Sequence, residues 1–310
     1  MNARSYVAGI DGGASKTVAL IADGNGRILG RGRAGPSNYH NVGIQVATLA
    51  IKNALKKARS NAGATEKPDV CVVALAGIDS EQDMITTSHS VKDARIAKTS
   101  IVIHDSVAAI YATTKGRPGI VVNSGTGSFA AGINSKGTYA RAGGWGYIVG
   151  DEGSAYEIGL KAIKMAFRSF DGREDYTELT EILERRFRIR KVDDLVSQIY
   201  STGLTVEQIA AVAPIVIRLA RTDRISRRIL DEAGTQLGEL VCAVAIRLNM
   251  TKLEFPVAAV GGNFKSGGYL IRALKSKVRR CCSKARVIQV HVEPAQGSLS
   301  IALEAFRKQH

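Results

Sequence analysis

The stretch DGGASKT (Asp11–Thr17) directly follows an apolar strand predicted at Tyr6–Ile10, and it decides the fold assignment. Its glycines leave backbone amides accessible, and hydroxyl groups and a lysine flank them, which is the composition of a phosphate-binding turn. The Gly-x₄-Gly-Lys-Ser/Thr spacing of a Walker A loop is absent. Taken alone, the stretch is explained equally well as an ordinary hairpin turn.

Asp11 distinguishes this turn from other phosphate-binding loops. A carboxylate beside a triphosphate is repelled unless a cation lies between the two groups. Mg²⁺ uses few carboxylates and keeps several of its waters, so one aspartate at this place suits it. The sequence therefore predicts ATP as the nucleotide and Asp11 as a residue of a Mg²⁺ site.

The unit that Asp11 opens recurs 112 residues later, at Asn123. In both copies a strand runs into a Gly/Ser/Thr turn, returns as a strand, and meets a second turn about ten residues further on. The second copy has strands at Gly119–Asn123 and Ser128–Ile133 around the turn SGTGS. This repeat predicts two related domains whose glycine turns face each other across a cleft.

Between and after the two copies, strands and helices alternate, which is typical of an α/β fold with largely parallel sheets. The predicted elements are a helix at Gln45–Ala62, with Val46, Leu49, Ala50, Ala54, Leu55 and Ala58 on its apolar face, strands at Val70–Leu75 and Ile101–Ile103, and a helix at Val107–Thr113. Residues 156–248 are predicted to be mostly helical, and 252–262 to return to a strand and a glycine turn. We expect one domain of residues 1–114 and 296–310 and another of 115–295 with a helical insertion.

The chain of 310 residues carries 43 Lys and Arg against 28 Asp and Glu, a formal net charge of +15. This charge favours the approach of polyanions, nucleotide triphosphates included. The basic runs Arg185–Lys191 and Lys275–Arg280 are interpreted as solvated helix faces, and no nucleic-acid partner is expected.

The remaining composition indicates a cytoplasmic protein. The four cysteines have no metal-ligand spacing, and Cys71 and Cys242 lie in apolar runs, which fits a reducing compartment. We see no signal peptide and no apolar stretch long enough for a membrane span. The oligomeric state stays open, with a homodimer allowed.

Two further glycine turns support a nucleotide site. SGTGS (Ser124–Ser128) supplies a second phosphate cradle at the matched place in the repeat. A third turn ends the apolar run Val257–Val260 at Gly261 and Gly262, where glycine would let a flat base lie against the backbone.

In their order along the chain, these three turns resemble the phosphate-1, phosphate-2 and adenosine motifs of the actin-like ATPases, a superfamily that includes actin, Hsp70 and sugar kinases. Within it, the segment GGWGYIVGDEGSAY (Gly143–Tyr156) closely resembles the N-acetylglucosamine kinases of the BadF-BadG-BcrA-type branch. The segment GPSNYHNVG (Gly35–Gly43) is similar to the broad-specificity archaeal hexokinases, and EPAQGS near the end of the chain also fits. The resemblance covers nearly the whole chain.

The resemblance implies a two-domain actin-like ATPase fold, ribonuclease H-like in each domain, with the active site in the interdomain cleft and the last helix, near residues 298–306, packed on the first domain. It also implies a set of nucleotide-binding residues: Gly12, Gly13, Ser15, Lys16, Thr17, Gly125, Thr126, Gly127, Gly261, Gly262 and Asn263.

Asp105 is the candidate catalytic base and also a candidate sugar ligand. It follows a strand, and ligands of α/β sheets sit beyond the carboxyl ends of strands. A carboxylate there can accept the proton of an attacking sugar hydroxyl. A helix N-cap, formed by Asp105 or Ser106, explains the local sequence better, but the resemblance implies the catalytic role.

The candidate sugar-binding residues lie in two segments. Asn38, His40 and Asn41 form a polar cluster that can donate and accept hydrogen bonds, with a plain turn motif as the alternative. Gly144 and Trp145 belong to the segment that resembles N-acetylglucosamine kinases, although Trp145 could also be a core residue. The resemblance implies that Asp151 bonds sugar hydroxyls or the 2-substituent, whereas the local sequence also allows a helix-capping role.

The implied reaction is the transfer of phosphate from ATP to the 6-hydroxyl of N-acetylglucosamine or a related amino sugar. A broad-specificity hexokinase acting on glucose, mannose and glucosamine is the alternative within kinases. An ATPase that activates a radical dehydratase is the alternative of another class, but those proteins share an iron–sulfur cluster through cysteines that adjacent Cys281 and Cys282 do not match. The zinc-binding cysteines of the bacterial repressor/kinase family are also missing, so a zinc site is not expected.

Overall fold

The computed structural model describes residues 5–265 and 268–309. The chain forms two compact units, one made of Met1–Arg117 with Val292–His310 and one of Pro118–His291. The strands are β1 (Tyr6–Gly12), β2 (Thr17–Asp23), β3 (Ile28–Ala34), β4 (Val70–Leu75), β5 (Thr99–His104), β6 (Gly119–Ser124), β7 (Ser128–Ile133), β8 (Tyr139–Gly143), β9 (Pro256–Val260) and β10 (Arg286–Gln289). The helices are α1 (Tyr39–Val42), α2 (Ile44–Ala62), α3 (Glu81–Asp93), α4 (Asp105–Thr114), α5 (Ala155–Phe170), α6 (Leu179–Phe187), α7 (Leu195–Ser197), α8 (Val206–Ala210), α9 (Ala213–Leu219), α10 (Arg224–Arg247), α11 (Gly268–Cys281) and α12 (Pro294–Arg307).

The sheet of the first unit has the order β3-β2-β1-β4-β5. The first three strands form an antiparallel meander, and β4 and β5 join β1 in parallel. Both faces of the sheet are covered. Helices α2 and α3 cover one face and α12 the other, because successive side chains of β1 alternate between two apolar clusters.

Helix α2 agrees with its predicted range to within one residue, but part of its predicted apolar face was wrong. Ala50, Ala54, Leu55 and Ala58 are buried as expected. Val46 and Leu49 are more than half exposed, because the stripe that packs on the sheet runs through Ala47 and Ile51 instead. The same helix also approaches β3 closely: an added Cβ at Gly30 or Gly32 would lie 2.2 Å from the Ala58 carbonyl oxygen or 2.0 Å from that of Ala54.

The second unit repeats the topology of the first, with the strand order β10-β9-β6-β7-β8. Strands β6, β7 and β8 form the antiparallel meander, and β9 and β10 extend the sheet in parallel. The internal repeat predicted from the sequence is therefore confirmed as a repeat of topology. The helical region between β8 and β9 packs into one large apolar cluster.

Helix α10 is the longest helix in the described part of the chain, with 24 residues. Its buried side chains form a stripe on one face, while charged residues occupy the other. It lies in residues 156–248, which the sequence predicts to be mostly helical. None of the helices in the described ranges has the length and apolarity that a membrane crossing requires.

Helix α12 is fixed to the first unit by close backbone contacts. Its Ser298 hydroxyl donates a hydrogen bond of 2.9 Å to the carbonyl oxygen of Ile10 in β1. At Gly9 an added Cβ would lie 2.1 Å from the amide nitrogen of Leu299, and at Gly297 it would lie 1.8 Å from the carbonyl oxygen of Ala108 in α4. The glycines thus let the last helix, β1 and α4 approach one another.

Replacing Gly297 should therefore weaken the first unit. We expect Gly297→Ala to lower the free energy of unfolding by about 3 kcal/mol, because the new methyl group overlaps a backbone carbonyl that cannot move freely. Gly35→Ala is the matched control, since no atom lies within 4 Å of the place that its new methyl group would occupy. Urea unfolding followed by circular dichroism checks this, and equal midpoints for the two variants would contradict it.

Candidate active site

The predicted phosphate-1 turn begins inside β1. Asp11 and Gly12 still pair with Val18 and Thr17 of β2, so only residues 13–16 form the turn. The amide of Gly13 closes it by donating to the carbonyl oxygen of Lys16 at 2.9 Å. The side chains of Ser15 and Lys16 are exposed, which leaves them accessible to a phosphate.

Asp11 lies in a strongly acidic environment at the carboxyl end of the sheet. Burial of its carboxyl group, and then the negative charges of Asp105 and Glu293, raise its pKa from 3.8 to about 7, although Lys16 acts in the opposite direction. An ionised Asp11 is therefore costly in the folded protein until a cation approaches. The described residues contain no group of three or more His, Cys, Asp or Glu side chains that could hold a metal ion. A single carboxylate still suits Mg²⁺, which uses few carboxylates and keeps several of its waters.

Thr17, a predicted nucleotide-binding residue, has a hydroxyl group that is hydrogen-bonded inside the protein. Its side chain is fully buried, and its hydroxyl group donates to the carbonyl oxygen of Gly35 at 2.7 Å and bonds the hydroxyl of Ser37 at 2.8 Å. Both bonds connect β2 to the segment that precedes Asn38. The threonine therefore belongs to the support of the site, because a buried hydroxyl with two internal partners is not available to a ligand.

The predicted sugar segment is held against the phosphate-1 turn. The amides of Ser37 and Asn38 both donate to the carbonyl oxygen of Gly13, at 3.0 and 3.3 Å. Asn38 then caps α1, since its side-chain oxygen accepts from the amide of His40 at 3.1 Å. His40 and Asn41 are exposed. The turn motif and the ligand role are thus compatible: Asn38 fixes the backbone, and two polar side chains face solvent.

Asp83 is a residue of this region that the sequence analysis missed. Its carboxylate is buried and accepts hydrogen bonds from the hydroxyl of Tyr39 and from the amides of Asp79 and Ser80. Its Oδ1 atom also lies 3.5 Å from Nε2 of His40. The Ser-x-x-Asp pattern of a capping box at residues 80–83 was the signal that could have located both α3 and this carboxylate.

Asp105 is the first residue of α4, directly after β5. The N-cap of this helix is His104, whose Nδ1 atom accepts from the amide of Ser106 at 3.0 Å, so the capping role considered for Asp105 and Ser106 was wrong. Asp105 Oδ1 lies 2.8 Å from His104 Nδ1, and about a quarter of the Asp105 side chain is exposed. The carboxylate therefore lies beside the His104 ring and is still reachable by a ligand.

In the second unit, the predicted phosphate-2 turn is fixed by the start of α5. The amide of Gly125 donates to the carbonyl oxygen of Gly127 at 3.0 Å, and the carbonyl oxygen of Gly125 accepts from the amide of Ala155 at 2.8 Å. Thr126, at the tip, is exposed. The turn is thus rigid at its base and open at its tip, as a phosphate cradle requires.

The phosphate-2 turn and the third glycine turn lie in direct contact. Asn263 is buried and donates through Nδ2 to the hydroxyl of Ser124 at 2.9 Å and to the carbonyl oxygen of Gly125 at 3.3 Å. Gly261 has a φ of +113°, and an added Cβ would lie 2.2 Å from the Ser124 carbonyl oxygen. Asn263 therefore joins two turns as a structural residue, while Gly262 has open space beside it.

The remaining predicted residues of the second unit are the buried Asp151, which lies at the phosphate-2 turn, and Gly144 and Trp145, which contact Arg141. Asp151 is buried, and its Oδ1 atom accepts from the amide of Ser128 at 3.0 Å, so it supports the phosphate-2 turn. Trp145 is 57% exposed, and the guanidinium of Arg141 lies 5.1 Å from its ring centroid. Core packing of Trp145, the alternative considered above, is wrong. Gly144 accepts a hydrogen bond from Arg141 through its carbonyl oxygen.

Comparison with known protein families identifies the family of the chain. A model of the BadF/BadG/BcrA/BcrD ATPase family matches residues 8–302. The chain belongs to this family. The family resemblance expected from the sequence is therefore confirmed over nearly the whole chain.

Two curated relatives of this ATPase family member are sugar kinases. An N-acetylmuramic acid/N-acetylglucosamine kinase from Clostridium acetobutylicum is 32% identical over 299 residues, with 96% of this chain and 98% of that protein covered. An N-acetyl-D-glucosamine kinase from Dictyostelium discoideum is 31% identical over 310 residues, with 96% and 97% covered.

Solved structures confirm the actin-like ATPase fold. A protein from Chromobacterium violaceum, provisionally named an N-acetylglucosamine kinase, has a TM-score of 0.75 at 25% identity, with 97% of this chain and 99% of that chain covered. A ROK family glucokinase from Streptomyces griseus, in complex with glucose and AMPPNP, has a TM-score of 0.61 at 17% identity, with 99% and 100% covered, and it supports the fold alone.

The acidic environment of Asp11 predicts an unusual effect on stability. Asp11→Asn should raise the melting temperature in the presence of a chelator, by about 2–4 °C for each kcal/mol of repulsion and desolvation that is removed. Asp69→Asn should lower it, because Asp69 accepts from the amide of Tyr6 and pairs with Lys98. Differential scanning calorimetry checks both signs, and a lower melting temperature for Asp11→Asn would contradict this account of the site.

Proposed function

We propose that this chain is an ATP-dependent amino-sugar kinase, which transfers the γ-phosphoryl group of ATP to the 6-hydroxyl of N-acetylglucosamine or a closely related sugar. The observation that carries the proposal is the 31–32% identity to two N-acetylglucosamine kinases over nearly the full length of both partners. The kinase activity expected from the sequence agrees with these relatives and with the ATPase family of the chain.

Asp105 acts as the general base in this proposal. Its position supports the role, because the carboxylate follows the carboxyl end of β5, lies beside His104 and is partly exposed. As the sugar oxygen attacks the γ-phosphorus, its proton passes to the Asp105 carboxylate, and ADP leaves with the electron pair of the broken bond. The reaction needs no covalent enzyme intermediate.

The glycine turns serve as phosphate cradles in the same proposal. The amides of residues 13–16, together with Ser15 and Lys16, and the open tip at Thr126 offer donors to phosphate oxygens. Asp11 would hold Mg²⁺, which when bound neutralises phosphate charge. The raised pKa of Asp11, caused by burial and by the charges of Asp105 and Glu293, supports a cation beside this carboxylate.

The acceptor sugar is proposed to contact the exposed side chains of His40 and Asn41, with Asn38 as their support. Contacts of the sugar with Gly144, Trp145 and Asp151 remain a prediction from the family resemblance. The exposed ring of Trp145 suits the apolar face of a sugar, whereas Asp151 already has a partner in Ser128. The homodimer and the cytoplasmic location expected from the sequence also stay predictions.

An acceptor panel tests the function. ADP release is measured with Mg-ATP against N-acetylglucosamine, N-acetylmuramic acid, glucosamine, N-acetylmannosamine, glucose and mannose. We expect the fastest turnover on N-acetylated sugars. Asp105→Asn should lower kcat by about 10²–10⁴-fold, because the general base is lost. Asp93→Asn, an exposed carboxylate in the same unit, is the matched control and should leave kcat unchanged.

The same acceptor panel distinguishes the two alternative functions, a broad-specificity hexokinase and an ATPase that acts on a protein partner. Equal use of plain hexoses would make the protein a broad-specificity hexokinase. ADP release that no sugar stimulates would contradict the kinase and favour an ATPase that acts on a protein partner.

A further inference from the structure

The buried carboxylate of Asp83 connects the start of α3 to the predicted sugar segment. On the side of α3 it accepts from the amides of Asp79 and Ser80 at 2.9 and 2.8 Å. On the other side it accepts a hydrogen bond from the hydroxyl group of Tyr39, and its Oδ1 atom lies 3.5 Å from Nε2 of His40. A single carboxylate therefore accepts from two amides at the start of α3 and from the Tyr39 hydroxyl of α1, and it lies close to the His40 ring.

Helix α1 depends on such contacts from outside. It has four residues, Tyr39–Val42, none of which is buried. A helix this short has no stability of its own, because nucleation costs more than one turn of hydrogen bonds returns. The rings of Tyr39 and His40 lie 4.1 Å apart between centroids, so Asp83 restrains both with one group.

The pKa values of Asp83 and Tyr39 favour a lasting hydrogen bond between these two side chains. The hydrogen bond from Tyr39 is the main cause that lowers the pKa of Asp83 to about 2, with bonds from Ser80 and Asp79 adding to it. The same bond raises the pKa of Tyr39 to about 12. The carboxylate and the phenol therefore keep their acceptor and donor roles at any pH at which the protein works.

We propose that Asp83 is a positioning residue for the sugar acceptor: it fixes Tyr39 and His40 so that the segment Asn38–Asn41 is preorganised for a sugar. This inference rests on the proposed function. Since Nε2 of His40 faces Asp83, Nδ1 is the ring nitrogen left for a sugar hydroxyl. Preorganisation lowers the entropy that binding must remove, so Asp83 acts on sugar affinity and not on ATP.

Steady-state kinetics separate this role from general stabilisation. Asp83→Asn should raise KM for the sugar about 10-fold, the equivalent of one lost charge-assisted hydrogen bond, and leave KM for ATP and kcat within about 2-fold. Tyr39→Phe should raise the sugar KM by a smaller factor. Asp69→Asn is the matched control, because Asp69 also bonds a backbone amide and a side chain in this unit but does not contact the segment.

The Asp69→Asn control shows whether a change in the sugar KM is specific to Asp83. Asp69→Asn should lower stability and leave the sugar KM unchanged. Equal changes of sugar KM in the Asp83 and Asp69 variants would overturn the proposal, as would a loss of kcat in Asp83→Asn at unchanged KM.

Amide hydrogen exchange supplies a readout that does not depend on activity. Residues 38–43 should exchange at least about 10-fold faster in Asp83→Asn than in the wild type, and at the wild-type rate in Asp69→Asn. Unchanged exchange in Asp83→Asn would overturn the positioning role. If the wild type shows no sugar-stimulated ADP release, the kinase proposal fails, and faster exchange in the variant would still support Asp83 as the residue that fixes this segment.

Discussion

The register of three parallel strands is the constraint on which the site in the first unit depends. Gly12 of β1 pairs with Leu75 of β4, and Leu75 pairs with His104 of β5. This row ends the three strands at one edge. Asp11 and Asp105 lie on either side of it, and although they are far apart in sequence, the charge of Asp105 raises the pKa of Asp11. A shift of one residue in either ladder would turn one carboxylate to the opposite face of the sheet.

The first unit carries an electrostatic cost at this edge of the sheet, at the carboxylate of Asp11. Burial makes ionisation of Asp11 costly, and the negative charges of Asp105 and Glu293 add to that cost. The scaffold tolerates this cost because α12 packs against β1 and α4 through glycine contacts, and the sum of many buried contacts outweighs one strained charge. Enzymes commonly lose some folding stability at the residues of the active site and compensate for it by packing in other parts of the fold.

Much of the fold could be predicted from the sequence because apolar runs bounded by glycine define strands well. Val70–Leu75 and Ser128–Ile133 were predicted with their observed bounds, and the repeat of strand and turn anticipated the repeated topology. Helix α3 was missed because its face is weakly apolar, and β10 because most of its side chains are exposed. In α3 and β10, packing against the rest of the fold determines the structure, and the pattern of apolar residues in the sequence does not.

Side-chain roles at the site were harder to predict than the site's location. Thr17 and Asn263 lie in the predicted turns, yet their polar groups are engaged in internal hydrogen bonds. Asp105 resembled a helix cap, but the preceding His104 takes that role. Asp83 was missed because its partners at residues 39 and 40 are more than forty residues away in sequence. Such assignments require distances, which a sequence contains only indirectly.

The central claim is that the carboxylate at the end of β5 directs phosphate from ATP to a primary sugar hydroxyl. The most direct test is to identify the product of ATP and N-acetylglucosamine by phosphorus–proton correlation NMR. The account predicts a phosphomonoester whose phosphorus couples to the two protons at C6. A phosphorus coupled to the anomeric proton, or inorganic phosphate with unchanged sugar, would contradict it.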